Sequence, residues 1–285
     1  PIRCMRPLNA LQQAVSTAVR EPIVLGVAAL VALLQLPILL SQLLPPVYAV
    51  FASLGANLLV LILAPFTQGG MLGLADSALD GRGDIRTFLS AGREHYVSLF
   101  AAYLVLIAVN IVLGIATIIL FLVFGAGLGA VAAGAGGAGG ALGGGVGALG
   151  FVFVGVVALL ALAYLVGFLF IQFYAQAIVV DDYSAVESFK RSAGLVRQHF
   201  VSTLGYSLVA LLIGGIAGAV IGVSSTLLGN APNALQMDVT SPALIAGIVL
   251  LVIVLSTVSS AFTSLYSVAF YRDLDPNETG SVSQL

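Results

Sequence analysis

Apolar residues fill this chain in six long blocks, at about 23–44, 47–75, 97–124, 150–180, 200–229 and 242–271. The charged positions are crowded into the stretches between them. An α-helix needs roughly 20 apolar residues to cross a hydrocarbon core about 30 Å thick, and each block is long enough. The blocks lack the strict alternation of barrel strands. In lipid the backbone must satisfy its own hydrogen bonds, so the blocks read as six transmembrane helices. The longer ones must tilt, kink or protrude.

Three shorter stretches carry a different pattern. Ahead of the fifth block, Val186, Phe189, Ala193, Val196 and Phe200 recur at steps of three and four, the spacing of one helical face. Glu187 and Arg191 lie one turn apart on another face, where they can pair. Ile85, Phe88, Leu89 and Tyr96 form a similar stripe before the third block, and Leu8, Leu11, Val15 and Ala18 one before the first. The chain thus reads as a unit used three times: an amphipathic helix, then a hairpin of two spans. Related junctions enter each hairpin: Arg20-Glu21-Pro22, Arg93-Glu94-His95 and Arg197-Gln198-His199. The candidate headgroup contacts are Arg20, Arg93, Arg197, His95 and His199, since an arginine can lay its stem on apolar surface and reach phosphates.

Composition adds the reason why no soluble reading survives. Of 285 residues, 60% are hydrophobic and 8% charged, against about 25% charged in soluble domains. The mean hydropathy is +1.14. The ten basic residues are Arg3, Arg6, Arg20, Arg82, Arg86, Arg93, Lys190, Arg191, Arg197 and Arg272, and all fall on one side of a six-span topology. The opposite connections, near 45, 125–149 and 230–241, hold no Lys or Arg. The positive-inside rule then places both termini in the cytoplasm of a multi-pass protein of the cell membrane. Asp238 is the one acid on the outer side. The first block reads as a retained span, since residues 1–22 have no apolar core of the signal-peptide kind. A net charge of −2 gives no basic field for nucleic acid. Cys4, alone, makes no internal disulfide.

Ala64-Pro65-Phe66, Gly69-Gly70, the run "ALDGRGDIRTFLSAGREHYVSLFAAYLVLIAVN" at 78–110 and "AIVVDDYSAVESFKRSAGLVRQHF" at 177–200 carry a family likeness. On these residues the chain resembles an uncharacterised six-helix membrane family of halophilic archaea. That family is similar in pattern to the membrane domain of some glycerophosphodiester phosphodiesterases. The resemblance implies a fold and a source. It implies no activity, and it leaves out the Gly-rich stretch 125–149.

Few motifs carry chemistry. Residues 134–139 satisfy G-x-G-x-x-G, but the dinucleotide fingerprint needs a strand before it and an acidic residue beyond it. Here it falls in a glycine-rich turn without charge. The glycines read better as packing surface: Gly214, Gly218 and Gly222 are spaced by four, as are Gly136, Gly140 and Gly144, and small residues so spaced let membrane helices approach closely. Segment 125–149 is either a loop or a pair of glycine-rich helix extensions. Asp76, Asp80 and Asp84 could hold a cation if they shared a helix face. Gly81 and Gly83 argue for a helix end before Asp84, and Arg82 and Arg86 supply counter-charge, so a solvated loop is the reading. Asp181 and Asp182 are expected to cap the helix at 184–199 or to form salt bridges. His95 and His199 lack a third metal ligand. Asn277-Glu278-Thr279 matches a glycosylation acceptor on the cytoplasmic side, where it is silent.

The spans contain no charged residue well inside them. Their polar residues, Gln35, Asn57, Asn110, Gln172 and Thr257, with a Ser/Thr run at 256–267, are the candidates for a polar path through the membrane. Pro65 should kink the second span. No catalytic, cofactor or metal site is assigned. The expected fold is an all-α six-transmembrane-helix bundle, one integral domain over 1–285 with a cytoplasmic tail at 272–285 and amphipathic cytoplasmic helices before spans 1, 3 and 5. The expected function is non-enzymatic: a scaffold or accessory subunit that binds membrane lipids, another membrane protein or further copies of itself. The alternative is a channel or transporter for a small or lipid-like solute. An enzyme acting on lipids is a third reading, with no constellation to support it.

Overall fold

The computed structural model describes residues 6–41, 44–134, 142–229 and 241–274. Arg3, Cys4, Gly136, Gly140, the G-x-G-x-x-G match beyond Gly134, Asp238 and the Asn277 acceptor lie outside the described residues. Every described element is helical, in the order α1 (Arg6–Arg20), α2 (Pro22–Leu33), α3 (Leu36–Ser41), α4 (Pro46–Leu79), α5 (Ile85–Glu94), α6 (Tyr96–Gly134), α7 (Leu142–Ile171), α8 (Tyr174–Val180), α9 (Ala185–Gln198), α10 (Phe200–Gly229) and α11 (Pro242–Leu274). Six helical stretches are long and apolar enough to cross a membrane, and they fall on the six expected blocks.

Local sequence explains where the spans break. Pro37 cannot donate to the Leu33 carbonyl and disfavours helix at the residue before it. The first span accordingly splits into α2 and α3 around Leu34 and Gln35. The fourth splits between α7 and α8, where the Phe173 backbone N–H donates to Ser192 Oγ of α9 at 3.1 Å. Pro65, by contrast, lies inside a continuous α4. Just before it, the Tyr96 hydroxyl donates to the Ile62 carbonyl at 3.0 Å, a bond to α4 from the start of α6.

The glycine-rich stretch is largely helix. α6 runs on to Gly134 and α7 begins at Leu142, so both extend the spans. With 39 residues at about 1.5 Å each, α6 is roughly 58 Å long and exceeds the hydrocarbon thickness.

The chain divides into two compact units. One is Ala101–Ile171, a helical hairpin in which Phe121 meets Phe153 edge-on at 5.1 Å. The other holds the described residues up to Phe100 and from Gln172 onward. In this larger unit α11 is the central helix, packed against α1, α2, α4 and α10. Toward its C-terminal, charged end the core is aromatic: Phe173, Tyr266, Phe270 and Tyr271 are fully buried and Tyr206 nearly so. Tyr206 stacks on Phe270 at 4.6 Å and on Tyr266 at 4.8 Å. Toward the other end Leu39 and Val252 pack with Ile221, Ile245, Ile248 and Val249.

Candidate functional site at the charged end of the bundle

The charged end is assembled by the ends of α4, α8 and α11 and by the three short helices α1, α5 and α9. Each short helix has the sequence periodicity of a surface helix, but the face it turns to the bundle is not the expected apolar stripe. α1 buries Ala10, Ala14 and Thr17, while Leu8, Val15 and Val19 point outward, Val19 with 79% of its surface open. α5 buries Phe88, Ala91 and Gly92 and leaves Ile85 and Leu89 open. α9 buries Ser188, Ser192, Leu195 and Val196, with Val186 63% open. Only Phe88 and Val196 of the expected stripes are buried. At α5 the facing helix α4 offers closely approached backbone, which small residues fit better than bulky ones.

Each helix therefore has three sides. At roughly 100° per residue, α1 carries small residues toward protein, then the apolar side Leu8-Leu11-Val15-Val19, then the polar side Asn9-Gln13-Ser16-Arg20. α5 shows Phe88-Ala91-Gly92, then Ile85-Leu89, then Arg86-Ser90-Arg93-Glu94. α9 shows Ser188-Ser192-Leu195, then Val186-Ala193-Phe200, then Glu187-Lys190-Arg197. The rotational order, protein then apolar then polar, is the same in all three.

Glycines seat α5. A Cβ at Gly92 would fall 2.8 Å from the Phe66 carbonyl oxygen, one at Gly70 2.7 Å from the Phe88 carbonyl oxygen, and one at Gly73 would overlap the Ala91 Cβ. A Cβ at Gly69 would fall 2.8 Å from the Leu99 Cδ1, the end of a flexible side chain. Among the described residues these glycines are the ones most tightly approached. A Cβ at Gly214, Gly218 or Gly222 would meet nothing within 4 Å among the described residues.

The carboxylates are engaged by partners far along the chain. Arg272 donates from Nε to Asp76 Oδ1 at 2.8 Å, from an Nη to the Asp76 carbonyl at 3.0 Å and from the other Nη to Asp80 Oδ1 at 2.9 Å. Arg82 adds a contact to Asp80 at 3.3 Å. The Arg272 hydrogen bond holds the Asp80 carboxyl below its ordinary range. Asp84 stands apart and caps α5, accepting from the Arg86 backbone N–H at 3.3 Å. The three aspartates thus do not share a face. The expectation of a solvated loop is corrected for Asp76, which is clamped to the sixth span.

Asp181 and Asp182 do not cap α9. Its N-cap is Ser184, whose hydroxyl donates to the Glu187 carboxylate at 2.7 Å, three residues on. Asp181 accepts instead from the buried Tyr271 hydroxyl, and the Arg191 guanidinium approaches the same hydroxyl while lying 5.9 Å from the Tyr183 ring. Asp182, at φ 58°, sits 3.7 Å from His95 Nδ1. Among the described residues no three His, Cys, Asp or Glu side chains are placed to hold a metal ion.

Of the headgroup candidates, Arg20, Arg93 and Arg197 are exposed at the ends of α1, α5 and α9, and His95 and His199 are half-buried at the following junctions. The polar-path candidates are not drawn together. Asn57 bonds the Ser53 carbonyl, Asn110 the Leu106 carbonyl and Thr257 the Ile253 carbonyl, each within its own helix. Gln35 is exposed at the break in the first span. Only Gln172 reaches across helices, accepting from Ser207 at 2.9 Å.

Beside α5 lies an apolar groove of about 310 Å³. α2 and its C-cap contribute Val27, Leu30, Val31 and Leu34, α4 contributes Leu63, Phe66 and Thr67, and Ile85, Phe88 and Leu89 wall it from α5. The sequence reading missed it because its walls come from three separated segments that each look like ordinary membrane helix.

No curated protein and no solved structure matches this chain. A family model, described as a domain of unknown function, DUF7847, matches residues 5–274, and the chain belongs to that family.

Proposed function

We propose that this protein is a non-enzymatic membrane scaffold or accessory subunit that engages lipid or another membrane protein at the cytoplasmic surface. The observation that supports it is the three-sided character of α1, α5 and α9. A helix with one side on protein, one apolar side open and one polar side open is matched to the boundary between hydrocarbon and water. Three such helices in one rotational order make a collar at one end of the bundle. The ten basic residues on that side favour the cytoplasmic face. The resemblance described above favours the plasma membrane of a halophilic archaeon. Native mass spectrometry of protein gently released from its own membrane tests the proposal. Stoichiometric co-release of a different protein supports an accessory subunit, and retained lipid without a partner supports a lipid scaffold. A bare monomer that holds neither refutes both.

One observation favours transport as the second reading. Among the described residues, Gln172 Nε2, Gln176 Oε1, Thr203 Oγ1 and the Tyr266 hydroxyl are buried without a hydrogen-bond partner. Polar atoms so placed call for water or a polar solute. Gln176, Thr203 and Tyr266 were not among the sequence candidates, since they sit near the span ends where polar residues are ordinary. Solute flux in proteoliposomes that is lost in Gln176→Leu would decide for this reading.

A further inference from the structure

We propose that the groove beside α5 is a specific site for one anionic membrane phospholipid, with an acyl chain between α2 and α4 and the phosphate on Arg86 and Arg93. The inference rests on the lipid-binding reading above and assigns it a place.

Three observations converge. First, the groove is apolar on all sides and lies on two membrane spans. Its walls run from Val27 to Leu34 along α2, about 10 Å of helix. That direction leads from the charged end into the hydrocarbon layer, where the available occupant is a lipid tail. Second, α5 forms the groove wall at the charged end with Ile85, Phe88 and Leu89, at the level where the spans meet the headgroup layer. Third, cations stand beside that wall on α5. Arg86 and Arg93 are seven residues apart on one stripe of α5, next to the Ile85-Leu89 side. Both side chains are exposed, and neither is in an ion pair among the described residues. Two unpaired guanidiniums two turns apart suit a phosphate diester, since arginine offers planar paired donors to phosphate oxygens. The arginines at the other acidic groups of this end behave differently, as Arg82 and Arg272 are held by Asp80 and Asp76. The backbone contact through Gly70, Gly73 and Gly92 fixes α5 on α4, so the groove is preformed and not a gap between mobile parts.

The test uses the full chain, stripped of native lipid and reconstituted with equal phosphatidylglycerol and phosphatidylcholine of identical tails. Native mass spectrometry then counts the lipids retained. The wild type should keep one phosphatidylglycerol per chain, in at least fivefold preference over phosphatidylcholine. Arg86→Gln with Arg93→Gln should abolish the preference. Leu63→Trp, which fills the groove, should cut retention of both lipids. Leu208→Trp, an exposed apolar position on α10 away from the groove, should leave both as in the wild type. Equal retention of the two lipids by the wild type, an unchanged preference in the double arginine variant, or equal loss with Leu208→Trp would overturn the site. The arginines are surface groups, so that arm does not depend on a variant that folds poorly. None of these outcomes depends on whether a protein partner is co-released, so the site and the accessory-subunit reading fail separately.

Discussion

Replacing Arg272 with Ala should be among the most destabilising changes available outside the aromatic core. The guanidinium joins the end of the sixth span to two carboxylates and a carbonyl at the end of the second, 196 and 192 residues away in sequence. Its side chain is 21% exposed, that of Asp76 31% and that of Asp80 41%. Removing one partner of a fully buried pair costs about 3–5 kcal/mol, whereas an exposed pair contributes about 0–1 kcal/mol. The Asp76 half lies between these limits, and the Asp80 half near the lower one. Arg272→Ala should therefore cost about 2–3 kcal/mol, Asp76→Ala a similar amount and Asp80→Ala under about 1 kcal/mol. Arg272→Lys keeps the charge but loses the fork, and should recover about half of the loss. Reversible unfolding in mixed micelles, titrated with a denaturing detergent, measures these differences. The double variant Arg272→Ala with Asp76→Ala should show a coupling of about 1–3 kcal/mol. Loosening of the turn at Gly81–Gly83 should also speed tryptic cleavage after Arg82. Stability of Arg272→Ala within about 0.5 kcal/mol of the wild type, with coupling near zero, would refute the clamp.

Further outcomes follow from the same geometry. Gly92→Ala and Gly73→Ala force backbone apart at the α4–α5 contact and should each cost about 1–3 kcal/mol, whereas Gly218→Ala, with open space around it, should be neutral in the monomer; thermal melts in detergent distinguish them. Asp80 has its proton affinity lowered in the folded state by the Arg272 hydrogen bond. Its contribution to stability is present above the ordinary aspartate value of 3.8 and is lost as pH falls through the lower folded value. The Asp80 contribution should thus shrink on acidification below about pH 4, so the stability difference between the wild type and Asp80→Asn should narrow there. Asn57→Leu and Asn110→Leu remove amides bonded to their own helices, so neither should change any solute flux the protein supports; a large loss in liposome assays would return them to a polar path.

The spans were legible because the bilayer imposes a length and a composition that any stretch of sequence displays by itself. The breaks in the first and fourth spans were less so: Pro37 marks one, but the other depends on Ser192 reaching Phe173 from a different helix. The surface helices were legible as elements and misleading as faces. Periodicity identifies an apolar stripe without saying what covers it, and in a membrane the apolar stripe of α1 or α9 has lipid as a partner equal to protein. The glycines teach the same point. Gly214, Gly218 and Gly222 have the better spacing, yet Gly70, Gly73 and Gly92 hold the contact, because only the approach of another backbone distinguishes them. Asp76, Asp181 and their partners Arg272 and Tyr271 were beyond sequence reasoning, since nothing local pairs residues about 90 or 200 positions apart.

The central claim is that α1, α5 and α9 lie at the membrane surface with their apolar sides in lipid. Single spin labels in a Cys4→Ser background test it directly. Labels at Val15, Leu89 and Val186 should be reached by oxygen in preference to an aqueous nickel chelate, and labels at Ser16, Ser90 and Glu187 should show the reverse. Equal, chelate-dominated accessibility on both sides of all three helices would contradict the account and place those helices in water.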